Sequence, residues 1–470
     1  MTDIDLSLKR KMYLDNLNDN ISVFDVHEHF SNPLNFIHKR PLLNEILKRS
    51  YVGDFDFYPG LVSSNCDPID ETPLPTDLSS LPRILKNAYD KRAQDYIPAF
   101  FKGIKAIYGI DLEQNLSLTS INRLEQELIN RYKDLPEKLS VISHFFDSLS
   151  QIGNIRHVIL DIPHCNYGFD FSNCLLDKSR TQRGAHKLTD DDIEFHVSLR
   201  INSLLYGFNK EIWNQDTFLP GFLKNKGLVE TIPDNFDDYL AMIDKMLEWS
   251  KNKIVSYKCA SAYERTINFG SAEVLKDLRY SKLNTLFRLP AKDLKRSEVL
   301  EFGNYIMHYL LKNMIQIQKS SIPIQMHTGM AIRSGSHPNN LLSLIKRYKE
   351  IDFHLLHCGY PWIEEMIDIL KNHKNCIGEM VWLPQLSVET TIKFIILSVK
   401  NKLTDRIIGF GGDSGCVEGA IGALETLKGC LIEAFSTIKN KNPLANEEIS
   451  KFSRQILSLN AIKSYLKNLS

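Results

Sequence analysis

The sequence predicts an α/β chain folded as a (β/α)8 barrel of the TIM type, and three observations carry that prediction. Eight short apolar runs rich in β-branched residues are spaced along the chain, helical patterns separate several of them, and ligand-type side chains recur where the runs end. Strands alternating with helices imply a parallel sheet, because a parallel connection needs a crossover. Eight such units close a barrel, and 470 residues suit one barrel carrying insertions. No internal repeat is visible, so residues 1–470 read as one barrel domain.

Taken in order, residues 5–17 read as a leading helix, and VFDVHEHF (23–30) follows as strand 1. Alternation along a strand places Asp25, His27 and His29 on one face and Phe24, Val26 and Glu28 on the other. Residues 31–150 then depart from the barrel rhythm. Helical patterns (NEILKRS, LPRILKNAYDKRAQDYI, SINRLEQELINRYKDL) flank the Pro- and Asp-rich GLVSSNCDPIDETPLPTDLSSLP, whose prolines exclude a regular element. The stretch is expected to be a mostly helical insertion that serves as a lid over the barrel mouth.

The remaining strands are NIRHVILDIP (154–163), EFHVSLRIN (194–202), KIVSYKCAS (253–261), IPIQMHTG (322–329), DFHLLHCG (352–359), NCIGEMVWL (375–383) and DRIIGFGGDSG (405–415). DDYLAMIDKMLEWSKN, SEVLEFGNYIMHYLLKNMIQIQ, NLLSLIKRYKE and WIEEMIDILKNH supply helices between them, and the last 55 residues read as closing helices.

Composition narrows the function classes. Lys plus Arg and Asp plus Glu both number 57, so no net field draws nucleic acid or an anionic membrane. No run is apolar enough for a signal peptide or a membrane span, which points to the cytoplasm. The eight cysteines lack any CxxC pair, which suits reduced thiols and argues against a zinc ribbon. A small-molecule substrate is therefore the expected partner, and a two-fold homodimer is the commonest closed assembly.

The chemistry lies at the strand ends, where barrel active sites gather. These ends present His27 and His29 on strand 1, Lys258 on strand 4, His327 on strand 5, His357 on strand 6 and Asp413 on strand 8. A single histidine on a strand is usually structural, but ligand-type residues on four strands in order point to a divalent metal. Neutral imidazole and carboxylate make zinc the favoured ion. His354, on the opposite face from His357, is expected to be a bland neighbour. His38, His144, His186, His308, His337 and His373 fall away from strand ends, and His164 reads as a loop histidine.

Arg200 ends strand 3 and Arg265 follows strand 4, where a guanidinium would meet a carboxylate-bearing substrate. For Arg265 a solvated surface arginine is the competing reading. Tyr263 and Trp382 would wall the pocket, although aromatics near strand ends also simply pack.

VFDVHEHF, LRIN, VSYKCASAYERTINF, QMHTGM, HLLHCGYPWIEE and GFGGDSG together resemble the metal-dependent amidohydrolase superfamily. Within it they are most similar to the branch called amidohydrolase family 2, including the amidohydrolase-like portion of glutamine-synthetase-fusion proteins. The resemblance covers most of the chain from strand 3 onward and little of residues 31–150. It implies one or two metals held by His27, His29, His327, His357 and Asp413. It also puts Lys258 where binuclear members carry a carboxylated lysine bridging two metals; an ordinary ammonium facing a substrate carboxylate or Asp413 is the alternative.

The implied activity is hydrolysis of a C–N or C–O bond in a small polar substrate by a metal-activated water, with Asp413 moving the proton and His357 binding a second metal or polarising the carbonyl. A one-metal decarboxylase of the same branch is the alternative. A uronate-isomerase-like enzyme and a catalytically silent metal-binding protein rank behind it.

Overall fold

The eight apolar runs form the eight strands of one parallel sheet with the order β1-β2-β3-β4-β5-β6-β7-β8, as a (β/α)8 barrel requires. The structure is a computed structural model that describes residues 21–30, 38–50, 78–91, 95–132, 144–162, 193–207, 219–231, 233–251, 253–271, 280–287, 289–290, 293–318, 322–331, 334–441 and 446–467. The strands are β1 Val23–Glu28, β2 Ile155–Ile162, β3 Glu194–Arg200, β4 Ser256–Cys259, β5 Ile324–His327, β6 Phe353–Leu356, β7 Cys376–Glu379 and β8 Ile407–Ile408. Each lies inside its expected run, and the short ones are fully or nearly fully buried, as strands with covered faces must be. The leading helix expected at 5–17 and most of the Pro-rich segment lie outside the described residues, as do His164 and His186.

Between β1 and β2 come helices α1 Leu42–Arg49, α2 Leu81–Lys91, α3 Tyr96–Tyr108 and α4 Leu118–Arg131. On α4, buried Ile121, Leu124, Glu125 and Leu128 repeat at helical spacing, and the Ser117 hydroxyl caps the first turn by accepting from the Ser120 N–H at 3.2 Å. The Glu125 carboxylate reaches across to α1 and accepts from the Leu42 and Leu43 N–H groups, both at 2.8 Å. It thereby satisfies two of the donors that a helix N-terminus leaves open. Further helices are α5 Phe236–Ser250, α6 Arg296–Gln318, α7 Ile363–Asn372, α8 Val388–Lys400 and α9 Val417–Lys441. Among the described residues, no helix is long and apolar enough to cross a membrane.

By internal packing the chain divides into two compact units, one of Met1–Leu160, Ser179–Phe195 and Glu379–Ile462, the other of Asp161–Lys178, His196–Gly378 and Lys463–Ser470. In the first, α3 packs extensively along α9. Glycine makes that approach feasible: a Cβ on Gly103 would strike the Glu418 carbonyl, and one on Gly422 would strike the Ala99 carbonyl. This part of the 31–150 stretch is therefore fastened to the helix after β8. In the second unit, Tyr465 accepts from the Gln325 side-chain amide of β5 at 2.9 Å, and Gln325 in turn accepts from Ser198 of β3 at 3.1 Å. His354 packs its ring against Tyr465 at 4.7 Å, the structural place expected of it.

Candidate metal centre

In the first unit the backbone ladder of β8 continues past its two-residue core. Val26 N–H donates to the Phe410 carbonyl at 3.2 Å, Asp413 N–H to that of His27 at 3.0 Å, and His29 N–H to that of Ser414 at 3.1 Å. These bonds set the register that delivers Asp413 beside the β1 histidines. Alternation brings the His27 and His29 rings edge to face at 4.8 Å. Asp413 Oδ1 lies 2.8 Å from His29 Nε2 and 3.8 Å from His27 Nε2. All three residues are buried, and one ligand atom from each falls within 4.8 Å of the others. Two imidazoles and a carboxylate so placed are the chemistry that holds a zinc-class ion.

Asp413 has a left-handed backbone (φ 50), which a non-glycine residue keeps only where its surroundings enforce it. The segment around it is gripped from β1. The Gly412 N–H donates to Asp25 Oδ1 at 3.3 Å, and the Ser414 N–H to Glu28 Oε2 at 2.7 Å. Strict alternation would part Asp25 from Glu28, but the β1–β2 register shifts between these residues. Burial raises Asp25 to about 7 and pushes Glu28 well above the usual carboxylate range, with the neighbouring Asp25 charge adding to the latter.

The second unit assembles His327, His357, Lys258 and Tyr263 at the ends of β5, β6 and β4. His357 Nε2 lies 3.0 Å from His327 Nδ1, near the roughly 3.3 Å separating two nitrogens on one tetrahedral zinc. Within its own unit His327 faces His357. Burial, the His357 ring and the Lys258 ammonium hold His327 well below its ordinary pKa, so it is a neutral imidazole able to ligate. His357, Cys358 and Gly359 all have positive φ (61, 47 and 67), a tight left-handed turn that aims His357 at β5. A Cβ on Gly329 would collide with the Tyr360 carbonyl, so glycine lets this turn close against the end of β5. Lys258 is 1% exposed, a deeply buried lysine as its carboxylation would require.

Tyr263, 42% exposed, lies against His327 with ring centres 4.5 Å apart and planes tilted by 55°. Arg200 grips Asp161 of β2 through Nε and Nη2, so its charge is already matched by one carboxylate. Arg265 is not a solvated surface arginine. It is 5% exposed, bonds the carbonyls of Thr266, Leu300 and Asn268 and the Asn304 side chain, and lies over the Phe269 ring at 4.6 Å. Its role is to anchor the loop after β4, a partnership with α6 that no local pattern announces. Burial lowers it to about 10.

The sequence reading overlooked two acids. Glu264, exposed in the loop after β4, accepts from Tyr206 and Asn202, both at 3.1 Å. Glu379 ends β7 fully buried, an acid in an otherwise apolar run that was its only signal.

No family model matches the chain, and no curated protein matches it in sequence. The narrower likeness to amidohydrolase family 2 and to glutamine-synthetase fusions thus gains no support from these comparisons. Several solved structures do match over nearly their full length. A protein of Lactobacillus casei ATCC 334, provisionally described as a metal-dependent hydrolase, is 16% identical, with TM-score 0.59 and coverage of 97% of this chain and 98% of that one. A uronate isomerase of Bacillus halodurans C-125 is 14% identical at TM-score 0.62, covering 98% and 96%. The uronate isomerase of Thermotoga maritima is 11% identical at TM-score 0.67, covering 97% of each chain. Identities this low establish the fold: the chain is a TIM-barrel protein of the architecture these enzymes share.

Proposed function

We propose that this protein is a metal-dependent enzyme of the amidohydrolase type that hydrolyses a C–N or C–O bond in a small, polar, carboxylate-bearing substrate. The observation that supports this most is the buried triad His27, His29 and Asp413 with ligand atoms within 4.8 Å. These residues would hold a first divalent ion, with zinc the choice that fits the donors, and His327, His357 and Lys258 would hold a second if Lys258 is carboxylated. When bound, a divalent ion supplies Lewis acidity and lowers the pKa of water.

The protein's own groups do the rest. Asp413 accepts the proton of the attacking water and returns it to the leaving group. Arg200, its charge shared with Asp161, and Tyr263, exposed beside His327, orient the acidic substrate. A second reading, aldose–ketose isomerisation of a uronate, draws equal support from the uronate isomerases matched along nearly the whole chain.

The test is to load the full chain with Zn2+ and offer lactones, N-acyl amino acids and aldohexuronates, following products by NMR in H218O. An oxygen-18 carboxylate product expresses the hydrolase, a ketose without label incorporation at carboxylate expresses the isomerase, and released carbon dioxide would bring forward the decarboxylase. Two metals per chain support the binuclear site, and none overturns the metal assignment.

A further inference from the structure

We propose that Glu28, assisted by Asp25, is the positioning residue that shapes Asp413 into a metal ligand; the proposal rests on the reading of His27, His29 and Asp413 as a metal site. Asp413 is held on both sides. Its own N–H is bonded to the His27 carbonyl at 3.0 Å, the residue before it to Asp25 and the residue after it to Glu28. Both acids are fully buried, and Glu28 takes the shorter bond, 2.7 Å against 3.3 Å. The left-handed backbone of Asp413 needs such enforcement, because a non-glycine residue released from it would relax to negative φ and swing its carboxylate away from His29.

Gly412 adds an independent sign that the fit is close. A Cβ there would run into Glu28 Oε1, so the carboxyl occupies the space that a side chain at 412 would fill. The loop after β8 therefore takes its shape from a side chain of β1, and the residue between the two histidines has its own task. Groups that orient a metal ligand in this way change metal affinity about 10- to 100-fold when removed.

The experiment titrates Co2+ into chelator-stripped full-length protein and reads the visible d–d spectrum, comparing wild type, Glu28→Gln, Glu28→Ala and Gly412→Ala, with circular dichroism melts of each. Glutamine keeps an oxygen for the Ser414 N–H and turns an N–H toward Asp25, so it should bind within about threefold of wild type with the same spectrum. Glu28→Ala and Gly412→Ala should each bind about 10- to 100-fold more weakly with an altered spectrum, a change that lower stability alone does not make. If Glu28→Ala does not fold, Gly412→Ala and Glu28→Gln decide. Wild-type affinity and spectrum in a folded Glu28→Ala or in Gly412→Ala would overturn the proposal, as would a glutamine variant as weak as alanine. A wild-type protein that binds no cobalt would instead overturn the metal reading on which it rests.

Discussion

Asp413 and Arg265 show how differently two charged residues near strand ends can be employed. Asp413 is oriented toward His29 at 2.8 Å, so Asp413→Ala is expected to cost the first metal outright, measured as metal per chain after gel filtration in micromolar zinc. Arg265 is consumed by protein acceptors, and removing it leaves part-buried backbone carbonyls and the Asn304 side-chain oxygen without this donor. Arg265→Met should therefore lower stability by about 2–4 kcal/mol in urea melts while leaving Co2+ affinity near wild type. Loss of metal binding with unchanged stability would return Arg265 to the site.

At the scale of elements, the stretch between β1 and β2 is fastened by polar groups as well as by packing. Tyr108 at the end of α3 and Tyr132 after α4 donate to Glu418 Oε1 at 2.6 and 2.8 Å, and Tyr108 meets His144 Nε2 at 3.0 Å. Burial, helped by Arg131, depresses His144 from 6.5 to about 3. A depressed base contributes stability that is fully present above pH 6.5 and is lost progressively as pH falls toward about 3. Glu418, raised by burial, has the opposite sign: its share is full below its ordinary 4.5 and fades as pH rises through its folded value. Melting temperatures at pH 7.5, 5.5 and 4.5 should accordingly fall less steeply in His144→Gln than in wild type; parallel slopes would remove His144 from the account. In the same stretch, Glu125→Ala deletes the two bonds that start α1 and should cost about 1–2 kcal/mol by chemical denaturation.

For the molecule as a whole, a metal that binds only the folded chain stabilises it by mass action, by about 2.7 kcal/mol at a hundredfold excess over Kd. Chelation should therefore lower the melting temperature, and the drop should shrink below pH 6 because protonated imidazole does not ligate. A melt insensitive to chelator and zinc at neutral pH would count against the metal centre. The joining of β1 to the segment after β8 couples this effect to the fold, since the same ladder sets the register of sheet and ligands.

The eight runs, their parallel order and the pairing of His27 with His29 were legible in the sequence, because strand periodicity and βα alternation are local patterns that burial on both faces enforces. The candidate ligands at 327, 357 and 413 could likewise be picked out by type and by place at a strand end. Tertiary structure alone decided their partners. A register shift in β1 brings Asp25 against Glu28, a left-handed turn aims His357 at His327, and α6 captures Arg265. Each of these depends on contacts between residues distant in sequence and on the desolvation they impose, and neither is written in the spacing of any single segment.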